Sequence, residues 1–383
     1  MAGETEATKE KRATKAVNNL PKHAESTNGH MRRVPTQKSF GASFDVYEAD
    51  AVTHEELDLS TEDVLVMYRN MLLQRRFEER SAQMYGKQKI GGFLHLYIGQ
   101  EAISTGTVDA ITVGHDSVIT AYRDHGIALA AGMSPDACMA ELFGKVGGCS
   151  KGKGGSMHFF SNEHRVFGGH GIVGAHIPLA VGIAFAHKYK KDDGVCVGFF
   201  GDGAVWQGSF HEAANLASLY EVPVVLVIEN NHYAMGTAVD RAAAEPDLYK
   251  QAAGYAMPGA LVNGMDVFSV CKAMRNHVAM ARRFQPSIVE IRTYRYRGHS
   301  MSDPGKYRTR EELDAEKSRD PILRLKSYIL DHGIGTNDAL DAIDQSVKEE
   351  VMASVTFAEN SPLPPLEAIY EDVYSEEGFP FLT

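Results

Sequence analysis

The sequence is poor in cysteine, in long apolar runs and in clustered basic residues. Four of its 383 residues are cysteines, and they form neither a CxxC pair nor a Cys/His ligand set: Cys138, Cys149, Cys196 and Cys271. This scarcity excludes a disulfide framework and a cysteine-rich metal site, and it fits a reducing compartment. No apolar run is long enough for a transmembrane helix, and the net charge is −11 without a long basic run. We therefore expect neither a membrane nor a nucleic acid as a partner.

The first 45 residues also have few large apolar side chains and are rich in Lys, Glu, Thr and Asn. Such a segment buries too little apolar surface to offset the entropy lost on ordering, so we predict a disordered tail over residues 1–45. The tail lacks the apolar core of a secretory signal, and Glu4, Glu6 and Glu10 make it too acidic for a typical mitochondrial presequence. These features predict a cytoplasmic, bacterial protein.

The stretch FFGDGAVWQGS, residues 199–209, places an aspartate where an apolar run stops. The run Val195–Phe200 is typical of a buried strand, Gln207–Tyr220 has the apolar spacing of a helix, and Val222–Ile228 is typical of a second strand that ends in Glu229-Asn230-Asn231. Neighbouring parallel strands bring their carboxyl ends to one edge, where such folds bind ligands. Oxygen atoms of Asp202 and Asn231 there suit Mg²⁺, with phosphate oxygens as further ligands. Taken alone, each motif is also a common turn.

Together these motifs resemble the thiamine diphosphate fingerprint, and GFLHLYIGQEA (residues 92–102) resembles the entry segment of pyruvate dehydrogenase alpha subunits. The resemblance extends from about Leu57 onward. It implies a thiamine diphosphate-binding α/β fold over residues 46–383, with a mostly parallel sheet flanked by helices. The helical and extended segment from about residue 320 to 383 would serve packing between subunits.

The resemblance also implies the site residues. Mg²⁺ would be held by the Asp202 carboxylate, the Asn231 side chain and the Tyr233 backbone carbonyl. His95 would line the substrate pocket, and His299, in RYRGHSMSDPG, would meet the diphosphate and support catalysis. The other residues expected to contact the cofactor are Tyr122 and Arg123 at the diphosphate, Gly171 and Val173 at the pyrimidine, Gly203 and Ala204 in the fingerprint, and Met235 against the bent cofactor.

One segment, GGCSKGKGGSM over residues 147–157, satisfies most of a nucleotide-binding P-loop pattern. Gly154 stands where a P-loop has Ser or Thr for Mg²⁺, and the preceding MAELFGKV is typical of a helix where a strand is required. We therefore interpret the segment as a glycine-rich wall beside the cofactor, as in the family it resembles.

The implied reaction is the oxidative decarboxylation of pyruvate, with transfer of the acetyl group to a lipoyl group of dihydrolipoamide acetyltransferase. In the family that the sequence resembles, activation of the cofactor needs a glutamate from a second domain. This chain has the pattern of one such domain, so the resemblance implies that a beta subunit supplies the glutamate in an α2β2 assembly. Alternatives are the alpha subunit of a branched-chain 2-oxo acid or acetoin dehydrogenase, a P-loop hydrolase, and a non-catalytic scaffold. Ser300 matches a serine that kinases modify in mitochondrial relatives, but the loop DPGKYRTR is shorter and lacks the second serine, so kinase control is not expected.

Overall fold

A computed structural model describes residues 42–373. The predicted tail lies outside the described residues up to Gly41, and the first strand begins at Phe44. The strands are β1 (Phe44–Tyr47), β2 (Ser117–Ala121), β3 (Val166–His170), β4 (Cys196–Gly201), β5 (Val224–Asn230), β6 (Tyr233–Ala234), β7 (Thr237–Ala238), β8 (Gly259–Asn263) and β9 (Ser287–Arg292).

The helices alternate with these strands along much of the chain. They are α1 (Thr61–Gly86), α2 (Glu101–Asp109), α3 (His125–Ala130), α4 (Pro135–Leu142), α5 (His176–Lys190), α6 (Gly208–Tyr220), α7 (Val239–Ala242), α8 (Val267–Ala281), α9 (Arg310–Lys317), α10 (Pro321–Asp331) and α11 (Asn337–Asn360). Short 3₁₀ helices cover Glu55–Leu57, Gly155–Met157, Asp202–Trp206, Leu248–Tyr255 and Leu366–Tyr370. No helix within residues 42–373 has both the length and the apolar character needed to cross a membrane.

Seven strands form one sheet in the order β1-β8-β9-β5-β4-β2-β3, and every pairing in it is parallel. The central strand β5 is buried along its whole length. Its Leu226 and Ile228 pack with residues of α5 and α6, while Val225 and Val227 pack with residues of α8. Because successive side chains of a strand point to opposite faces, helices cover the sheet on both sides. The predicted parallel α/β architecture is confirmed.

Local signals account for several boundaries. Ser60 caps α1 through a reciprocal pair with Asp63, in which the Ser60 Oγ accepts from the Asp63 backbone at 3.1 Å and Asp63 accepts from the Ser60 backbone at 2.8 Å. The glycine-rich segment follows helix α4, as expected. The apolar alternation of residues 287–296 predicts a strand up to Tyr296, but β9 ends earlier, at Arg292, and residues 293–296 continue beyond the sheet edge.

The C-terminal part of the described chain packs on the first long helix. Helices α10 and α11 contact α1, and α11 also contacts α4. Their buried Leu325, Ile329, Val347 and Val351 share one core cluster with residues of α1. This cluster is separate from the two that pack against β5, and it also includes Val166 of β3 and residues of α8, so α10 and α11 extend the core beyond the sheet.

Candidate active site

The GDG and NN motifs meet at the carboxyl edge of the sheet. Gly201 at the end of β4 pairs with Glu229 near the end of β5, so Asp202 follows directly at this edge. The Asp202 side chain is buried, and burial raises its pKa to about 6. Within residues 42–373, only its own backbone N–H donates a hydrogen bond to this carboxylate. A buried carboxylate with so few hydrogen-bond partners is suited to binding a cation.

Gly203 allows the two motifs to approach each other. A Cβ atom at this position would lie 2.6 Å from the Cβ of Ala234, which belongs to the turn after Asn231. A side chain here would therefore push the β4 turn away from the β6 turn. The next residue, Ala204, is buried inside the 3₁₀ helix Asp202–Trp206.

A positively charged side chain, Arg295, contacts two of the predicted metal ligands. The Arg295 Nη1 donates to the Asn231 Oδ1 at 3.2 Å and to the Tyr233 carbonyl at 2.9 Å, and its Nη2 donates to the Met235 carbonyl at 3.1 Å. Arg295 also interacts electrostatically with Asp202. The Asn231 amide is oriented from its other side, because its Nδ2 donates to the Gln100 Oε1 at 3.0 Å. The Asn231 and Tyr233 oxygen atoms thus both lie within hydrogen-bond distance of one cation, and an amide oxygen and a carbonyl oxygen are suitable Mg²⁺ ligands.

Sequence reasoning missed Arg295, which lies inside the strand predicted over residues 287–296. The available signal was an arginine between two tyrosines, Tyr294 and Tyr296, just past the carboxyl end of a buried strand. That position is where parallel sheets carry functional residues.

Three of the predicted residues form an aromatic cluster. The ring centroids of His95 and Tyr122 lie 4.7 Å apart, those of His95 and His299 5.2 Å, and those of Tyr122 and His299 5.4 Å. Burial and, after it, the positive charge of Arg123 lower the pKa of His95 to about 3 and that of His299 to about 4. Both rings are therefore neutral near pH 7.

Unpartnered polar atoms point to a missing ligand in this cluster. The Nδ1 atoms of His95 and His299 and the Nε2 of Gln100 are buried and have no hydrogen-bond partner among the described residues. Buried polar atoms normally have partners, so three orphans around one site indicate a polar ligand.

Arg123 joins the cluster to two loops. It is buried, its Nη1 donates to the Leu96 carbonyl at 2.7 Å, and its Nη2 donates to the His299 carbonyl at 2.9 Å. Burial, together with the nearby Arg295 charge, lowers its pKa to about 10, so the guanidinium remains charged at neutral pH. Two buried arginines on one edge of the sheet favour an anion such as a diphosphate.

The remaining predicted cofactor residues lie on exposed turns. Gly171 and Val173 follow the carboxyl end of β3, on the same sheet edge, and Val173 is 43% exposed. Met235 is 63% exposed and has a left-handed backbone with φ of 53°. Exposed apolar side chains beside a polar site are suited to contact with a ligand or another protein chain.

The geometry argues against the P-loop interpretation. The segment follows a helix, and the Lys153 Nζ lies 3.0 Å from a carboxylate oxygen of Asp372 near the C-terminus.

Among the described residues there is no group of three or more His, Cys, Asp or Glu side chains that could bind a metal. The predicted Mg²⁺ ligands are instead one carboxylate, one amide oxygen and one backbone carbonyl.

Comparison with known proteins finds one family model and several named relatives. The sequence model of the dehydrogenase E1 component family matches residues 69–367. A "Pyruvate dehydrogenase E1 component subunit alpha" of Rickettsia bellii (strain RML369-C) is 48% identical over 314 residues, covering 82% of this chain and 96% of the relative. The protein of the same name in Rhizobium meliloti (strain 1021) is 50% identical over 318 residues, covering 82% and 91%. "Pyruvate dehydrogenase E1 component subunit alpha-3, chloroplastic" of Arabidopsis thaliana is 42% identical over 342 residues, covering 87% and 80%.

Proposed function

The chain belongs to the dehydrogenase E1 component family, and from this premise we propose that it is the alpha subunit of a pyruvate dehydrogenase. The proposal rests on one observation above all: the Asn231 and Tyr233 oxygens both accept hydrogen bonds from the buried Arg295, whose positive charge also acts on Asp202. The names and high identity of the relatives support pyruvate as the substrate.

Asp202, Asn231 and Tyr233 would bind Mg²⁺, and Arg295 would keep the last two oriented. A carbonyl oxygen has two lone pairs, so the Asn231 and Tyr233 oxygens can accept from Arg295 and still bind a cation. Tyr122, Arg123 and His299 would contact the diphosphate, which supplies the remaining negative oxygens.

Bound thiamine diphosphate would supply the electron sink needed when pyruvate loses carbon dioxide. The residues of the chain would position the reactants and transfer protons. Because His95 and His299 are neutral near pH 7, each can donate a proton through one ring nitrogen and accept one through the other. Gly171, Val173 and Met235 would contact the cofactor from the exposed side of the site.

A beta subunit would complete the site in an α2β2 assembly and contribute the activating glutamate. Large apolar side chains near the site are exposed, as expected of a surface that binds another subunit. Among them are Ile172, which is 76% exposed, and Met235, which is 63% exposed. Further exposed apolar residues, Leu363, Leu366, Ile369 and Tyr370, lie in the C-terminal segment predicted to pack between subunits. The lipoyl-bearing acetyltransferase would then receive the acetyl group. The bacterial origin of the two most identical relatives named above supports a bacterial cytoplasmic location.

The test is turnover by the chain co-expressed with its beta subunit, using a lipoyl domain as acceptor. We expect a kcat/KM for pyruvate that exceeds those for branched-chain 2-oxo acids and acetoin by about tenfold or more, the scale of discrimination that added methylene groups allow. The chain without its partner should show no turnover. Preference for another substrate would favour the alternative dehydrogenases, and no turnover by a folded assembly would favour a scaffold.

A further inference from the structure

The glycine-rich loop, defined here as Gly147–Met157, closes around one buried carboxylate. Glu141, in α4, is fully buried. Its Oε2 accepts from the backbone N–H groups of Ser150 and Gly152, both at 2.8 Å, and its Oε1 accepts from those of Gly154 at 2.8 Å and Gly155 at 3.0 Å. Four amide donors thus surround a single internal anion.

The glycines of the loop are needed for this close approach. A Cβ at Gly148 would lie 2.3 Å from the Glu141 Oε2, and a Cβ at Gly154 would lie 2.6 Å from the His158 carbonyl oxygen. Gly152 has a φ of +75°, which favours glycine. Successive backbone amides in such a conformation bind anions, which is how P-loops bind phosphate. Here the Glu141 carboxylate occupies the position of the anion, which explains why the sequence of the segment resembles a P-loop.

The end of the loop contacts the proposed active site. The Ser156 hydroxyl accepts from the His95 backbone N–H at 3.1 Å, and both the carbonyl and the hydroxyl of Ser156 lie 3.0 Å from the His125 Nε2. On its other side, the His125 Nδ1 lies 3.0 Å from a carboxylate oxygen of Glu78. The hydrogen bonds of Glu141 to the loop, followed by the peptide link from Gly155 to Ser156, therefore lead from Glu141 to the backbone of His95.

We propose that Glu141 is a positioning residue for the cofactor and substrate site. By fixing four amides of the glycine-rich loop, it fixes Ser156 and, through Ser156, the backbone of His95. The inference rests on the proposed function, because the ligands of the site are those named there. It assigns to Glu141 an effect on cofactor affinity beyond its effect on folding.

The test compares Glu141→Gln with a matched control in the enzyme assembled with its beta subunit. Glutamine keeps the shape but replaces one acceptor oxygen with an NH₂ group, which would face two backbone donors. The control is Asp116→Asn, because Asp116 is also fully buried and accepts from the backbone N–H groups of Thr112 and Val195 as well as from Arg282, but it precedes β2 at the opposite edge of the sheet.

Three quantities are measured for each variant: amide hydrogen exchange of residues 148–156, the melting temperature, and the dissociation constant of thiamine diphosphate with Mg²⁺. For Glu141→Gln we expect faster exchange in the loop and about tenfold to 100-fold weaker cofactor binding, the effect of losing one or two hydrogen bonds to a charged group. At saturating cofactor, kcat should return to within about twofold of wild type if binding alone is affected. Asp116→Asn should lower the melting temperature without changing cofactor affinity.

Equal cofactor affinity in Glu141→Gln and wild type would overturn the inference, as would an equal loss in both variants. If Glu141→Gln does not fold, Ser156→Ala replaces it, and a KM for pyruvate unchanged from wild type would overturn the link to His95. If wild-type assembly binds no thiamine diphosphate, the proposed function fails together with the effect on affinity. Amide hydrogen exchange of residues 148–156 would still show whether Glu141 holds the backbone amides of the loop.

Discussion

At the scale of single residues, the site depends on buried groups whose ionisation differs from that in water. Desolvation keeps His95 and His299 neutral, while Arg123 and Arg295 provide positive charge at the same sheet edge. The sequence motifs predicted His95, Tyr122, Arg123 and His299 one by one. Their mutual contacts could not be predicted, because they come from three separate loops.

A buried histidine away from the site gives a test of the same desolvation effect. His277 in α8 is fully buried, neither of its ring nitrogens has a partner among the described residues, and burial lowers its pKa to about 4. The unfolded chain has a histidine pKa near 6.5, so protonation of His277 does not affect folding stability above pH 6.5 and lowers it increasingly as the pH falls towards 4.

We therefore expect His277→Leu to stabilise the protein more at pH 5 than at pH 7.5. Removing unpaired polar atoms should add about 1 kcal/mol at pH 7.5, and removing the protonation penalty should add about 2 kcal/mol more at pH 5. Urea unfolding at the two pH values measures the difference. The partly exposed His115→Leu serves as control, and an equal gain at both pH values for His277→Leu would contradict the account.

At the scale of elements, the order of strands and helices around the site followed from apolar patterning. The strand, turn and helix around Asp202 agree with the structure within one or two residues, because buried parallel strands are continuous apolar runs. The strand predicted over residues 287–296 was too long, because Thr293–Tyr296 keep a strand-like composition after leaving the sheet. Apolar composition indicates that residues are buried, and residues 293–296 remain buried although they no longer pair with a neighbouring strand.

The contact between the β4 turn and the β6 turn predicts the outcome of a pair of substitutions. Gly203→Ala should destabilise the fold by about 1–3 kcal/mol, because its new methyl group would overlap that of Ala234. Adding Ala234→Gly should recover most of that loss. Gly201→Ala is the control, since a Cβ there has no atom within 4 Å. Thermal unfolding of the four proteins measures this, and equal losses for Gly201→Ala and Gly203→Ala would contradict the predicted contact.

At the scale of the whole molecule, the proposed active site has a polar side formed by this chain and exposed apolar side chains beside it. Its polar face is assembled, with Asp202, Asn231, Arg123 and Arg295 on one sheet edge, while Ile172 and Met235 are exposed beside it. Sequence resemblance predicted a missing glutamate and a partner subunit. The exposed apolar side chains support that proposal, but which subunit surface covers them depends on contacts that one chain does not contain.

The most direct measurement of the central claim is calorimetric titration of thiamine diphosphate with Mg²⁺ into the assembled alpha and beta subunits. Wild type is compared with Asp202→Ala and with Asp193→Ala, a control at an exposed residue just before β4. We predict Mg²⁺-dependent binding in wild type and control, and a loss of more than about 100-fold in Asp202→Ala, since substitutions that touch only the neighbours of metal ligands already cost about 10- to 100-fold. Binding of equal strength in a folded Asp202→Ala assembly would contradict the assignment of Asp202 as the ligand that joins metal and diphosphate.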